Sequence, residues 1–313
     1  QVCVALNSHE SNHGSFPPGL PSCTERNEVS GGTQKGNVCA GPNWATNILS
    51  EIEEPIMFNY VMDCMRHQWN CADDCEHETG NVGRATPAFM ICPSAPAMSN
   101  WHASGSSSME RNSKGNYAAC WGALDYRTSA EGNEFYDTTL AGFFGVNMIK
   151  NWQQRVGQSQ GEGSAQIKGK WKMGLGQGTR VGDVPDGLSK TYAISEVLGW
   201  DTEQDVRGTW TMATPGASSF MTRFPPNAAG NEDAKDHIIA CERRGIPEGH
   251  PLACRPVRDD GQGYASARSS HTGGVVIGYP DAKVEFVRDG IDLVVYQAKS
   301  TRAGMERINE EQD

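Results

Sequence analysis

Near the C-terminus the chain reads His271-Thr-Gly-Gly-Val-Val-Ile-Gly-Tyr-Pro-Asp-Ala-Lys-Val-Glu-Phe-Val-Arg288. Two apolar runs flank the segment Gly-Tyr-Pro-Asp-Ala, in which Pro280 presets one backbone angle of a turn and the following Asp can bond back to the main chain. This pattern predicts a β-hairpin. In its second strand Val284 and Phe286 alternate with charged residues, so we expect these two side chains to face the core.

Helical spacing follows the hairpin and also occurs earlier in the chain. Residues 291–299 form one helical pattern, with Asp289 or Asp292 available as its N-cap. Residues 44–62 form another, with a break or kink expected before Pro55. The apolar positions of this second pattern, which we expect in the core, are Ile48, Leu49, Ile52, Ile56 and Tyr60.

The composition restricts the possible partners. The chain has 313 residues, 37% of them hydrophobic, with 36 Gly and 16 Pro, which describes a loop-rich but foldable protein. Its formal net charge of −11 argues against a partner bound through phosphate contacts, because nucleic-acid-binding proteins usually carry a basic face. We therefore expect no nucleic-acid partner.

The cysteine content indicates an oxidising compartment. Most of the ten cysteines lie in polar, loop-like surroundings, and the absence of any Cys-x2-Cys pair disfavours a cytosolic zinc protein. Cys241 with Cys254 closes a short loop, and Cys3 with Cys23 is another plausible local pair. The disulfide candidates are Cys3, Cys23, Cys39, Cys64, Cys71, Cys75, Cys92, Cys120, Cys241 and Cys254.

The N-terminal residues contain a motif that could bind a metal. His9-Glu-Ser-Asn-His13 has the spacing of zinc peptidases, in which two His on one helical face hold the ion and the Glu activates water. The apolar spacing of residues 2–6 fits the last turns of a helix, but Gly14 ends that helix directly after the motif, and no third ligand is obvious. We therefore expect no metal and no cofactor.

Residues that could perform catalysis are better explained by structural roles. Asp186-Gly187 forms a turn into a strand containing Glu196, and a Glu near a strand end more often accepts bonds from a neighbouring loop than acts as a catalyst. We expect His271 to bond a backbone carbonyl or Asp281. Because no set of nucleophile, base and orienting group is recognisable, we predict no catalytic residues and no enzyme activity.

Several passages resemble a planctomycete family of pilin-like proteins that carries domain of unknown function 1559. The family's C-terminal signature is a His followed after nine residues by Asp-Gly, and His271 and Asp281 have this spacing. Ala282 stands where the family has Gly, so either the turn differs here or the Ala takes a positive φ at a cost of roughly 1 kcal/mol. Asp186-Gly187 matches the family's Asp-Gly-x-Ser-x-Thr turn, and Pro17-Pro18 lies in its Gly-x-Phe-Pro-Pro-Gly segment.

The resemblance implies an α+β, pilin-like fold, in which an N-terminal helix packs on an antiparallel β-sheet with long disulfide-stapled loops. Residues 1–19 would be the end of a pilin-like helix and its Pro turn, with Gln1 in the middle of a longer hydrophobic prepilin helix. Residues 20–313 would form a single globular domain with insertions at about 98–115, 151–183 and 213–265. Cys92-Pro-Ser also resembles a Cys-Pro-Ser step of the family.

The same resemblance implies a structural subunit of an extracellular or cell-surface filament of type IV pilin-like character. Its partners would be further copies of itself, and a membrane would be involved only through the missing N-terminal hydrophobic helix before assembly. The alternative is an extracellular module that binds glycans or small solutes through some of its eight Trp residues, with a secreted hydrolase as a third possibility.

Overall fold

The computed structural model describes most of both terminal regions and several internal segments of the chain. The described residues are 1–21, 43–66, 82–99, 102–103, 111–123, 126–127, 140–144, 146–147, 178–212, 214–229, 232–242, 246–247, 249–256 and 262–306.

The described part of the chain forms four α-helices, five 3-10 turns and thirteen short strands. The helices are α1 (Val2–His13), α2 (Trp44–Asn47), α3 (Pro55–Arg66) and α4 (Leu293–Ser300), and 3-10 turns cover Leu49–Ile52, Val82–Arg84, Ala88–Met90, Val181–Asp183 and Glu232–Ala234. The strands are β1 (Leu20–Pro21), β2 (His102–Ala103), β3 (Arg111–Asn112), β4 (Tyr117–Cys120), β5 (Tyr126–Arg127), β6 (Val146–Asn147), β7 (Ile194–Glu196), β8 (Ser219–Phe220), β9 (Asp236–Ile238), β10 (Cys254–Pro256), β11 (Gln262–Gly263), β12 (Gly274–Gly278) and β13 (Val284–Arg288).

The fold is built on a five-stranded sheet with the order β13-β12-β7-β4-β8. All neighbours are antiparallel except β4 and β8. Successive side chains of a strand point to opposite faces. On one face Ala119 joins an apolar cluster with Leu6 of α1 and Trp44 of α2, and on the other Ala118 joins a cluster with Tyr296 of α4. The protein is therefore α+β, as the sequence predicts, with helices on both faces of a mostly antiparallel sheet.

The predicted N-terminal helix is confirmed. α1 ends at Gly14, which has a left-handed φ of 73° and donates its N–H to the carbonyl of Glu10, so a residue without a β-carbon closes the last turn. The inner side of α1 buries Ala5, Leu6 and His9. Within the described residues, none of the helices combines the length and apolar character that a membrane span needs.

The predicted break before Pro55 is confirmed, but the expected apolar stripe is buried only in its first half. The break falls at Glu53, whose φ is 65°. Ile48 and Leu49 lie in the core, whereas Ile56 and Tyr60 of α3 are exposed. Because the helical phase changes at the break, positions beyond it no longer follow the face set by those before it.

The predicted hairpin is confirmed, with Val275 opposite Val287 and Val276 opposite Phe286. The predicted orientation of its second strand is wrong, because Val284 is 61% exposed and Phe286 is 48% exposed, whereas Val287 is buried. The register sets this result: Val275 lies in the apolar cluster under α4, so its partner Val287 faces that cluster too. Val284 and Phe286 take the opposite face near the sheet edge.

The structure decides two alternatives left open by the sequence, the conformation of Ala282 in the hairpin turn and the N-cap of α4. Ala282 has a φ of 71°, so the turn is retained with an Ala in the left-handed region that favours Gly. Asp292 caps α4 by accepting hydrogen bonds from the N–H groups of Val294 and Val295. Asp289, the other candidate cap, accepts a bond from the side chain of Asn227 instead.

The cysteine predictions are confirmed at one pair and wrong at three positions. Cys241 and Cys254 form a disulfide. Cys3, Cys92 and Cys120 are free thiols: Cys3 packs over Gly278, Cys92 donates to Glu196, and Cys120 donates to the carbonyl of Ser300. Cys64 lies in α3, but its side chain is not among the described atoms. Cys23, Cys39, Cys71 and Cys75 lie outside the described residues.

A buried ionic network joins the long segment 213–265 to the chain on both sides of it. Arg207 forms ion pairs with Asp205 at 2.6 Å and with Asp236 at 3.1 Å, and Arg268 pairs with the same Asp236 at 2.9 Å. All four side chains are buried, and their formal charges cancel. Burial of so many charges is tolerated because each is paired and hydrogen-bonded.

Candidate functional site

Three side chains from distant parts of the chain meet on the α1 face of the sheet. The thiol of Cys92 donates to Oε1 of Glu196 at 3.2 Å, and Nε2 of His271 lies 3.2 Å from the same oxygen. The distance between Cys92 Sγ and His271 Nε2 is 3.9 Å. The three donor atoms thus form a small triangle, and we refer to these residues as the Cys-Glu-His cluster.

The main chain around Cys92 is held in place by a buried amide. Cys92 follows the 3-10 turn Ala88–Met90, and its N–H donates to Oδ1 of Asn116 at 3.1 Å. The N–H of Asn116 in turn donates to the carbonyl of Met90. These bonds tie the Cys92 loop to the residues that precede β4, so the sulfur has a defined position.

The carboxylate of Glu196 is fixed by the sheet. Within the sheet, Glu196 pairs with Tyr117 of β4 on one side. On the other side, β7 pairs with β12 through Ile194 and Gly278. Beyond that pair, Oε2 of Glu196 accepts the backbone N–H of Val276 at 2.8 Å, so a side chain takes the place of a backbone hydrogen bond between the strands. Glu196 is only 2% exposed, and its Oε1 is left to face the thiol and the imidazole.

His271 closes the cluster toward solvent. Its N–H donates to Oγ of Ser269, and its ring meets Phe286 edge-on with centroids 6.5 Å apart. The His271 side chain is 30% exposed, so solvent reaches this side of the cluster. The exposed position of Phe286 is thus explained in part, because it lies beside His271.

Burial and the neighbouring negative charge keep the thiol of Cys92 and the phenol of Tyr117 protonated. Burial, followed by the neighbouring Glu196, raises the pKa of the Cys92 thiol above its usual value. Burial also raises the pKa of Tyr117 to about 12, with further contributions from Cys92 and Glu196. The thiol is therefore a hydrogen-bond donor to Glu196 at neutral pH.

The geometry does not match a cysteine nucleophile activated by a His. In such a relay one ring nitrogen faces the thiol and the other faces the orienting carboxylate. Here the single atom Nε2 faces both Cys92 and Glu196. The arrangement instead offers a sulfur, a nitrogen and an oxygen that converge on one point.

The predicted signature residues do not all meet at this cluster. His271 and Asp281 lie at opposite ends of β12, so the expected contact between them is wrong. Asp281 instead accepts the N–H of Lys283 in the turn. Glu196 accepts bonds from neighbouring segments, as expected, and one of its donors, Cys92, was a predicted disulfide residue.

The remaining signature residues have roles in the scaffold. Asp186 accepts the N–H groups of Gly304 and Met305, which anchors the segment after α4. Gly187 has a φ of 95°, a backbone conformation that favours a residue without a β-carbon. Pro17-Pro18 is buried below the end of α1.

The zinc-peptidase motif of α1 is engaged in packing. Nδ1 of His9 lies 3.0 Å from the carbonyl oxygen of Ser15, and the His13 ring lies near Glu51. Burial lowers the pKa of His9. The bond between His9 and the chain beyond Gly14 explains why this residue is buried at the helix end.

Comparison with known proteins adds one finding. No curated protein and no solved structure shows significant similarity to the chain. One family, described as "Protein of unknown function (DUF1559)", matches residues 1–294, which include all the residues of the Cys-Glu-His cluster and every signature position discussed above. The chain therefore belongs to the DUF1559 family.

Proposed function

We propose that this protein is a structural subunit of an extracellular or cell-surface assembly of type IV pilin-like character, formed by copies of itself and without catalytic activity. The observation that carries this proposal is the docking of α1 on the C-terminal hairpin. Cys3 packs over Gly278, and the amide of Asn7 donates to the carbonyl of Pro280. An N-terminal helix fixed to an antiparallel sheet in this way can transmit contacts between neighbouring subunits.

The two sides of α1 differ in a way that supports assembly through this helix. Ala5 and Leu6 are buried against the domain, whereas Val4 points outward and is 63% exposed. An exposed apolar side chain on a docked helix is available to a second copy. The proposal therefore places the outer side of α1 in the subunit interface.

The disulfide bond supports a location outside the cytoplasm. The Cys241–Cys254 disulfide joins two ends of a loop and is a bond that persists mainly in oxidising compartments. The net charge of −11 keeps separate subunits soluble before they assemble.

No specific observation favours the glycan- or solute-binding alternative. Among the Trp residues that the structure describes, Trp44, Trp121 and Trp210 are buried, and the half-buried Trp200 meets the His250 ring edge-on. The indole groups of Trp44 and Trp210 donate to backbone carbonyls inside the protein. They stabilise the core and offer no open ring face for a sugar.

Imaging combined with sedimentation tests the proposal. We expect the secreted protein to form filaments or higher oligomers in electron micrographs, and Val4→Glu to reduce them strongly because it places a charge in the interface. Ser189→Glu is the matched control, since it adds the same charge at an exposed polar position outside α1. Only monomers from the wild-type protein, or equal assembly by both variants, would contradict the proposal.

A further inference from the structure

We propose that the Cys-Glu-His cluster is a binding site for a divalent transition metal of the zinc type, with Cys92, Glu196 and His271 as its ligands. This site is independent of the proposed assembly function and differs from the sequence-based expectation that the protein holds no metal. It also differs from the rejected motif in α1, since none of its residues comes from that helix.

The distances between the donor atoms are close to those of a tetrahedral site. Bonds of about 2.3 Å to sulfur and about 2.0 to 2.1 Å to nitrogen and oxygen place tetrahedral ligands roughly 3.3 Å (oxygen to nitrogen) to 3.6 Å (sulfur to nitrogen or oxygen) apart. The observed separations are 3.2 Å between His271 Nε2 and Glu196 Oε1, 3.2 Å between Cys92 Sγ and the same oxygen, and 3.9 Å between the sulfur and the nitrogen. An ion would enter with small side-chain adjustments.

The chemical nature of the donors selects the class of metal. A thiolate, an imidazole and a carboxylate together suit Zn²⁺ and similar ions, whereas Ca²⁺ and Mg²⁺ prefer sets made only of oxygen. The thiol proton of Cys92 is released to solvent as the sulfur binds the ion. The partially exposed edge of His271 leaves the fourth position open to water.

The charge balance of the cluster also favours a cation. Glu196 is buried, and its side-chain contacts are the Cys92 thiol, the His271 ring and the N–H of Val276. None of these is a permanent positive charge, in contrast to Asp236, whose carboxylate lies between two guanidinium groups. A bound divalent ion would supply the missing positive charge.

Groups outside the triangle already orient the ligands. The N–H of Val276 holds Oε2 of Glu196, which leaves Oε1 for the ion, and Asn116 fixes the main chain at Cys92. Such second-layer contacts set the direction of metal ligands and strengthen their binding.

Metal titration of the full-length protein tests the site. After removal of metal with a chelator, we expect Zn²⁺ to bind and raise the unfolding temperature, and Co²⁺ to give a thiolate-to-metal charge-transfer band with the intense visible bands of tetrahedral coordination. Cys92→Ser should abolish the charge-transfer band of this site. His271→Gln and Glu196→Gln should weaken Zn²⁺ binding at least about ten-fold, because even the loss of an outer-layer partner of a metal ligand costs about that much.

Matched variants separate this site from other thiols and from misfolding. Cys3→Ser removes a free thiol outside the cluster, and His13→Gln removes an exposed His, so both should leave the Co²⁺ spectrum unchanged. His271→Gln changes a partly exposed side chain, and unfolding in urea without metal should show that its fold is retained. If wild type binds no Zn²⁺, or if Cys92→Ser and His271→Gln bind it as tightly as wild type, the cluster is only a hydrogen-bonded triad and the proposal is wrong.

Discussion

The sulfur of Cys3 lies directly over Gly278, so closely that a β-carbon on the Gly would overlap it. The contact joins the first turn of α1 to the end of β12, within the His-x9-Asp signature. Burial, the main cause, raises the pKa of the Cys3 thiol to about 11, so the sulfur acts as an apolar packing group. Docking of the N-terminal helix therefore depends on the absence of a side chain at position 278.

Gly278→Ala should loosen the docking of α1. The added methyl group has no space, and overpacking of this kind costs about 1 to 3 kcal/mol. Release of Cys3 into solvent returns its pKa toward the ordinary value of 9.0, so we expect alkylation of this thiol near neutral pH to accelerate at least about ten-fold. Peptide mapping by mass spectrometry measures the rate at Cys3 separately from that at other cysteines.

The control for this experiment is Gly290→Ala, because a β-carbon at that position meets no atom within 4 Å. This variant should retain the slow alkylation of Cys3. Equal rates in Gly278→Ala and wild type would show that α1 does not depend on this contact.

Ala282→Gly should stabilise the protein. Ala282 is exposed and has a φ of 71°, a conformation that Gly adopts without the steric cost of a β-carbon. The relief of about 1 kcal/mol exceeds the entropy that Gly adds to the unfolded chain. Urea unfolding should show an increase of a few tenths to about 1 kcal/mol. Ala303→Gly is the control, because Ala303 has no positive φ, and this change should lower the free energy of unfolding. If Ala282→Gly lowers it as well, Ala282 is not strained.

Asp236→Asn should destabilise the fold by about 3 to 5 kcal/mol, because it leaves Arg207 and Arg268 buried with one carboxylate fewer. Burial alone would raise the pKa of Asp236, but Arg268 and Arg207 more than offset this effect and hold it below 3.8. A depressed folded-state pKa gives stability that is present above the unfolded value and lost as the pH falls through the folded one. The difference between wild type and variant in urea unfolding should therefore shrink in acid.

Asp281→Asn is the control for the buried charge, since Asp281 is exposed and also accepts a backbone N–H. It should change stability by less than about 0.5 kcal/mol. A similar small effect of Asp236→Asn would mean that the two Arg side chains find other partners.

Local patterns predicted the hairpin, the end of α1 at Gly14 and a cap at Asp289 or Asp292, because turns, helix stops and caps are set by neighbouring residues. The side on which Val284 lies could not be predicted, since alternation defines two faces without saying which is covered. Only the register with Val275 and Ile277, which lie under α4, decides this.

The candidate site depends on contacts across long stretches of chain. Cys92 is 104 residues from Glu196 and 179 from His271, and each was interpreted separately in the sequence. The sequence places Cys92 among the disulfide candidates because most of the ten cysteines lie in polar, loop-like surroundings, although its Cys-Pro-Ser step is one of the family-like passages. The buried pair of Arg207 and Arg268 has no local signal, because a charged residue in a loop usually lies in solvent.

The buried Lys114 should make the free energy of unfolding increase with pH. Its side chain is buried, and its ammonium group donates to the carbonyls of Trp200 and Thr202. Burial is the main cause that lowers its pKa from 10.5 to about 8, with Asp205 and Asp201 partly opposing the change. Below about pH 8 both the folded and unfolded states carry the charge, and the folded state bears the full cost of burying it.

Between about pH 8 and 10.5 the unfolded chain binds the additional proton, so the free energy of unfolding increases with pH over this window. Lys114→Met lacks this contribution. We expect wild type to gain up to about 3 kcal/mol relative to Lys114→Met between about pH 7 and about pH 10 in urea unfolding. Comparison of the two proteins cancels the ionisation of Tyr and Cys residues, which is common to both. Lys190→Met is the control at an exposed position, and its free energy of unfolding should differ from that of wild type by an amount that is constant with pH. If the difference for Lys114→Met is also constant with pH, Lys114 keeps its charge in the folded protein throughout this range.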